Sequence, residues 1–167
     1  MSSFPLSRSD LTHMPAAGGK TSPVSQEALA KVHALFEREV PTALAELLAL
    51  PISPCVGGRS CEVLFNADGA LEILAQFPEW PAAGIFPVGG DGCGNYFVLQ
   101  QRTGQPCPVL FIEPMSGTLD VQYAAASDFE HFLVAVLENV DWFKEHLAER
   151  LDPQLRHVTP HPLPWEA

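Results

Sequence analysis

Apolar positions along the chain fall into three textures, and each predicts a different element. In SQEALAKVHALFEREV, Leu29, Val32, Phe36 and Val40 recur at helical spacing. Ser25 precedes this run as an N-cap, and Glu27 stands in the first turn, where the helix dipole favours an acid. His33 falls beside the stripe and reads as a packed, hydrogen-bonded histidine rather than a ligand. Pro41 cannot continue a helix interior but suits the first position of a new one. PTALAELLAL supplies that second helix, with Leu44, Leu47 and Leu48 on one side. PISP stops it, because each proline lacks a backbone donor and constrains the residue before it.

From about 60 to 125 the texture changes to short apolar runs separated by turn chemistry. SCEVLF is followed by NADG, GIFPV by GGDGCG, NYFVLQQ by RTGQP and CPVLFIE by PMSG, and TLDVQYA closes the series. Strands joined by such short turns pair as antiparallel neighbours, since a parallel crossover needs a dozen or more residues. YFVL and VLFI are apolar at every position, the pattern of central strands covered on both faces. ALEILAQFPEWPAA fits a short strand, a helical turn or a loop, and its pattern does not choose among them.

The third texture is a long stripe. Ser127 and Glu130 stand at capping-box spacing, and behind them Phe129, Phe132, Leu133, Val136, Leu137, Val140, Phe143, Leu147 and Leu151 line one face. This predicts a single helix over about 127–150 lying against the sheet, with Glu138, Asp141, Glu145 and Glu149 turned away. Trp142 lies off the stripe; it reads as packing against the proline-rich TPHPLPWEA, with a partner contact as the alternative. The expected class is therefore α+β: an antiparallel β-meander sheet packed against N-terminal helices and a long C-terminal amphipathic helix. The expected organisation is a flexible arm over 1–22, one domain over 23–152 and a proline-rich tail over 153–167.

Composition narrows the function. At 167 residues the chain suits one core. Nine Lys and Arg against twenty Asp and Glu leave a net charge of −11. Direct binding to nucleic acid is not expected, because that requires clustered cations. A basic protein is the natural partner, with solubility alone as the plainer reading of the charge. Between Cys61 and Glu130 nine acids (Glu62, Asp68, Glu72, Glu79, Asp91, Glu113, Asp120, Asp128 and Glu130) face a single cation, Arg102. Cys55, Cys61, Cys93 and Cys107 form no CxxC pair and read as buried free thiols in a reducing cytoplasm. The first twenty residues lack the apolar core of a signal peptide, and no run reaches membrane-spanning length, so no membrane association is expected.

Candidate chemistry is sparse. GGDGCGN has the composition of a phosphate loop but no GK[ST] ending, and a strand follows it where a phosphate motif requires a helix N-terminus. Asp91 within it would repel phosphate. Asp-Gly is a strong hairpin signal, so the stretch reads as a turn. His157 and His161 are four apart, but Pro160 and Pro162 exclude helical convergence on a metal. No GxSxG elbow is present. Asp91 and Glu113 could face each other across neighbouring strands as an acid and base pair. No metal or cofactor is expected.

The ordered set of VPTALAELLAL, IFPVGGDGCGNYFVL and AAASDFEHFLVAVLE resembles the SUKH superfamily, which includes bacterial immunity proteins and yeast cell-wall synthesis regulators. The chain has LPISP where the family often has Asn-Gly, and Asn95 where an aspartate often follows the last glycine. The resemblance implies a non-catalytic protein-binding module, most concretely an immunity protein that neutralises a cationic, nuclease-type toxin. The loop-edge residues that fit such a role are Glu79, Trp80, Asp91, Asn95 and Glu113, with the carboxylates meeting Lys or Arg and Trp80 as apolar anchor; the plainer readings are that Trp80, in FPEWP, is a core plug under a loop and that Glu113, before Pro114, ends a strand. A regulatory or scaffolding role without a toxin, and a small hydrolase using Asp91 and Glu113, are the alternatives.

Overall fold

The structure, a computed structural model, describes residues 23–37, 39–56, 61–103, 106–114 and 119–166. The expected arm over 1–22 lies outside the described residues. Two short helices open the fold, α1 (Gln26–His33) and α2 (Thr42–Leu48). Ser25 caps α1 as expected, its Oγ accepting from the Ala28 amide at 3.0 Å. Pro41 stands at the N-cap of α2, and Leu44, Leu47 and Leu48 are fully buried. His33 is exposed, so the expectation of a packed histidine does not hold: the buried face of α1 is carried by Ala28 and Val32, and His33, one residue further round the helix, faces away from it.

The sheet is the expected antiparallel meander, five strands in the order β1 (Val63–Leu64), β2 (Ile85–Gly90), β3 (Tyr96–Gln100), β4 (Val109–Ile112) and β5 (Val121–Ala126). β3 is the central strand, and its Phe97, Val98 and Leu99 are buried. Neighbours along a strand point to opposite faces, and Tyr96 and Phe97 meet different sets of rings. Tyr96 packs edge-on against Phe77 and Trp80, whereas Phe97 meets Phe111, Phe132 and Trp142. Each fully buried ring of this kind contributes about 1.5–3 kcal/mol through the water it leaves. Pro87 is accommodated in β2 because the register shifts between it and Gly89, the kind of irregularity where a strand tolerates proline. Gly89 lets β1 close in, since a Cβ there would sit 2.9 Å from the Val63 carbonyl oxygen.

NADG does not make a turn between strands. Asn66 is the N-cap of α3 (Ala67–Gln76), its Oδ1 accepting from the Gly69 amide at 2.9 Å, with Asp68 in the first turn. Helix α3 and a following 3-10 turn, Pro81–Ala83, settle the ambiguous ALEILAQFPEWPAA.

The long closing helix is two helices, α4 (Phe129–Leu137) and α5 (Glu145–Leu151). Asn139 takes a left-handed conformation at φ 52°. The Asn139 amide donates to the Val136 carbonyl at 3.1 Å and the Val140 amide to the Ala135 carbonyl at 2.9 Å. These two bonds are a Schellman motif, which satisfies the last carbonyls and ends the helix. The break rotates the later positions off the stripe: Phe143 is 53% exposed, while Trp142 is buried and stacked on Phe132. The N-cap of α4 is Asp128 rather than Ser127, with Oδ1 accepting from the His131 amide at 2.8 Å. Ser127 is buried and donates through its amide and its hydroxyl to the Asp152 carboxylate, both at 2.6 Å.

The core continues past residue 152. Leu155, in α6 (Leu155–Val158), and Leu163 are buried in it. Of the four cysteines, all free, only Cys61 is buried; Cys93 is exposed at the β2–β3 turn, and Cys55 and Cys107 are half-buried. No helix among the described residues is long and apolar enough to cross a membrane.

Candidate functional site

The strand register gathers acids at one end of the sheet. Val63 pairs with Gly90, so Glu62 lies beside Asp91, and its amide donates to the Gly90 carbonyl at 2.9 Å. Asp91 closes against Asn95 across the hairpin, Tyr96 pairs with Ile112, and the Glu113 amide donates to the Asp120 carbonyl at 3.1 Å. Glu62, Asp91, Asn95, Glu113 and Asp120 therefore form a row across the ends of the strands. Among the described residues none of its four carboxylates has an ion-pair partner, in contrast to Glu145, Glu149 and Glu166, which all converge on Arg156. Arg102, the single cation between Cys61 and Glu130, is at the opposite end of β3, where it donates to Gln100 and to the Val158 carbonyl.

The turn between β2 and β3 is built by Asp91. Its Oδ1 accepts from the amides of Cys93 (2.8 Å) and Asn95 (3.1 Å), and its Oδ2 from the Asn95 side-chain amide (2.8 Å). Gly92 and Gly94 supply the positive φ values, 77° and 93°, that reverse the chain inside this carboxylate collar. The carboxylate is an acceptor for its own loop, the arrangement of an Asx turn.

The negative field of this end reaches its neighbours. Burial first, and Asp91 second, push the Tyr96 hydroxyl up from its ordinary value. Tyr123 is raised by burial, then by Asp91, Cys61 and Glu113. The Cys61 thiol is pushed up to about 12, chiefly by burial, with Asp91 adding to it against two opposing backbone hydrogen bonds. A thiol so held is protonated and unreactive at neutral pH.

The structure separates the residues singled out in the sequence. Asp91, Asn95 and Glu113 come together in the row. Glu79 is exposed on the segment that joins α3 to the 3-10 turn, outside the row. Trp80 is 2% exposed, stacked on Phe77 at 4.3 Å and edge-on to Tyr96, so it is a core residue and not an anchor for a partner. Asp91 and Glu113 are not on neighbouring strands, because β3 lies between their two strand ends, which places them about 9–10 Å apart by strand spacing. Together with the occupation of both Asp91 oxygens by the turn, that spacing leaves no acid and base pair poised on a shared proton. Glu62 and Asp120, which sequence reasoning passed over, complete the row; each immediately precedes a strand that begins there.

A cleft of about 180 Å³ lies at the far end of the sheet, with Phe36 and Leu99 in its wall and Glu37, Glu39, Arg102 and Cys107 around it. Among the described residues of the cleft, Arg102 is held by Gln100 and by the Val158 carbonyl. No cluster of three or more His, Cys, Asp or Glu side chains that could hold a metal occurs among the described residues. No family model, curated protein or solved structure matches the chain, so its likeness to the SUKH superfamily rests on the sequence motifs alone.

Proposed function

We propose that the chain is a non-catalytic, SUKH-like protein-binding module that docks a cationic protein on the acidic end of its sheet, and most concretely that it is an immunity protein neutralising a nuclease-type toxin. The observation that carries this reading is the row of Glu62, Asp91, Glu113 and Asp120, aligned by strand register and without ion-pair partners among the described residues. Carboxylates so placed attract Lys and Arg at range and raise the encounter rate with a basic surface. A nuclease presents such a surface, because it must neutralise phosphates. The rigid hairpin fixes the row in advance, which lowers the ordering cost of docking.

The test is whether the neighbouring reading frame encodes a large chain with a C-terminal toxin domain, followed by co-expression with that domain. The expected result is restored growth of the host and co-purification of the two chains. A host that still dies, with no complex recovered, refutes the immunity reading.

A further inference from the structure

Each outer edge of the sheet meets a proline carbonyl, although at the β1 edge the same segment also donates, from the Val56 amide to the Glu62 carbonyl at 2.9 Å. At the β1 edge the Leu64 amide donates to Pro54 at 3.0 Å; at the β5 edge the Ala124 amide donates to Pro162 at 2.9 Å. Proline can accept from a strand but cannot donate to one, so a segment of this kind closes an edge without opening another.

The segment beyond α6 carries this further, with prolines at 160, 162 and 164. The Leu163 amide shares a trans peptide plane with the Pro162 carbonyl and so points away from β5. There it donates to Glu166 Oε2 at 3.0 Å. The His161 amide donates to Thr159 Oγ1 at 3.1 Å. From 160 to 164, then, three residues have no backbone donor and the other two have theirs satisfied by side chains of the same segment. The segment is anchored by buried Leu163 and by Glu166 on Arg156. Beneath it β5 reads VQYAAA, six residues with no charge, proline or glycine. That is the composition of a strand able to pair with its own copies.

We infer that residues 159–166 are a sheet-terminating strap, and that the outer edge of β5 beneath them is a latent pairing surface for a second copy of this chain. The strap meets the edge through one acceptor, the Pro162 carbonyl, and its outward face offers a further strand no free donor between 160 and 164. Displacing it exposes the Ala124 amide and the rest of an uncharged edge, which closes most simply by pairing with itself about a two-fold axis.

The experiment is sedimentation velocity over a concentration series on the full chain and on a chain ending at Val158, with circular dichroism to establish folding. The truncated chain should self-associate at least about tenfold more tightly than the full chain, and Gln122→Lys within it should reverse the gain, because a lysine on an edge strand blocks edge pairing. A folded truncated chain that associates no more tightly overturns the inference. So does association that Gln122→Lys leaves intact, since that would come from uncovered apolar surface rather than from the edge. If the truncated chain does not fold, full-length Leu163→Asp combined with Glu166→Ala, which removes the strap's buried anchor and its tie to Arg156, decides the matter. Releasing the strap from β5 should raise self-association by the same order, and an unchanged oligomeric state rejects the latent edge.

Discussion

Asp91 and Asp128 are both acids that serve their own backbone, and each shows how one carboxylate organises a local structure. Asp91 holds the β2–β3 turn through three hydrogen bonds. Asp128 caps α4 and also meets His131 Nδ1 at 2.8 Å. The hydrogen bond to Asp128 raises the His131 pKa above its ordinary 6.5, although partial burial opposes it. For Asp128, burial pulls the pKa up, but the side-chain and backbone bonds from His131 outweigh it and hold the carboxyl below its ordinary 3.8. The signs follow from linkage. The histidine's contribution is complete below 6.5 and is lost as pH rises through its raised folded value. The aspartate's contribution is complete above 3.8 and is lost as pH falls through its lowered one. Neighbouring Glu130 is raised, mainly by burial, and so works in the opposite sense to Asp128 as it ionises. His131→Ala should therefore destabilise the protein most at about pH 5 and progressively less towards about pH 8. Urea denaturation at the two pH values measures this; a loss of the same size at both would remove the charged pair from the account.

At the scale of elements, the break between α4 and α5 rests on the left-handed Asn139. Asn139→Val should cost about 1–2 kcal/mol, because a β-branched side chain is strained at positive φ, whereas Asn139→Gly should be tolerated. Chemical denaturation of the two variants separates them. This break also marks where sequence patterning fails. The apolar stripe continues arithmetically through Val140, Phe143 and Leu147, but counting at 3.6 residues per turn assumes an unbroken helix. Asn139, the residue type that most readily replaces glycine at a helix C-cap, was the available signal. The meander was legible because each turn is local chemistry, above all the Asp-Gly-Cys-Gly hairpin. NADG misled because aspartate and glycine serve an N-terminal helical turn as well as a hairpin, and the capping asparagine decides between them. The strap was hidden, since its proline-rich composition reads as a tail and only its contacts with β5 and with Arg156, distant in sequence, tie it to the domain. Trp80 was legible in FPEWP as a core plug under a loop, and its rings pack on Phe77 and Tyr96; which rings it meets is a tertiary contact that no local pattern carries.

For the whole molecule, what matters is where the charge falls. A net charge of −11 spread evenly would favour solubility and little else. Here the strand register instead concentrates Glu62, Asp91, Glu113 and Asp120 at one end of the sheet and leaves Arg102 at the other. Half of that row was visible in the sequence, as Asp91 and Glu113; the rest required the register, which only the paired strands reveal. The structure also selects the side chains on which to test docking. Asp91 is unsuitable, because reversing it would undo the turn along with the charge, whereas Glu113 and Asp120 are exposed and join the sheet through backbone groups.

The most direct measurement is the association rate constant between the protein and the proposed partner, a cationic toxin domain that co-purifies with it, by stopped flow, for the wild type and for Glu113→Lys combined with Asp120→Lys, at low and at high ionic strength. The expected result is a fall of about tenfold or more at low salt and convergence of the two rates as salt screens the field, with the denaturation midpoint of the variant close to that of the wild type. Equal association rates at low salt would contradict it and place the docking surface elsewhere on the molecule.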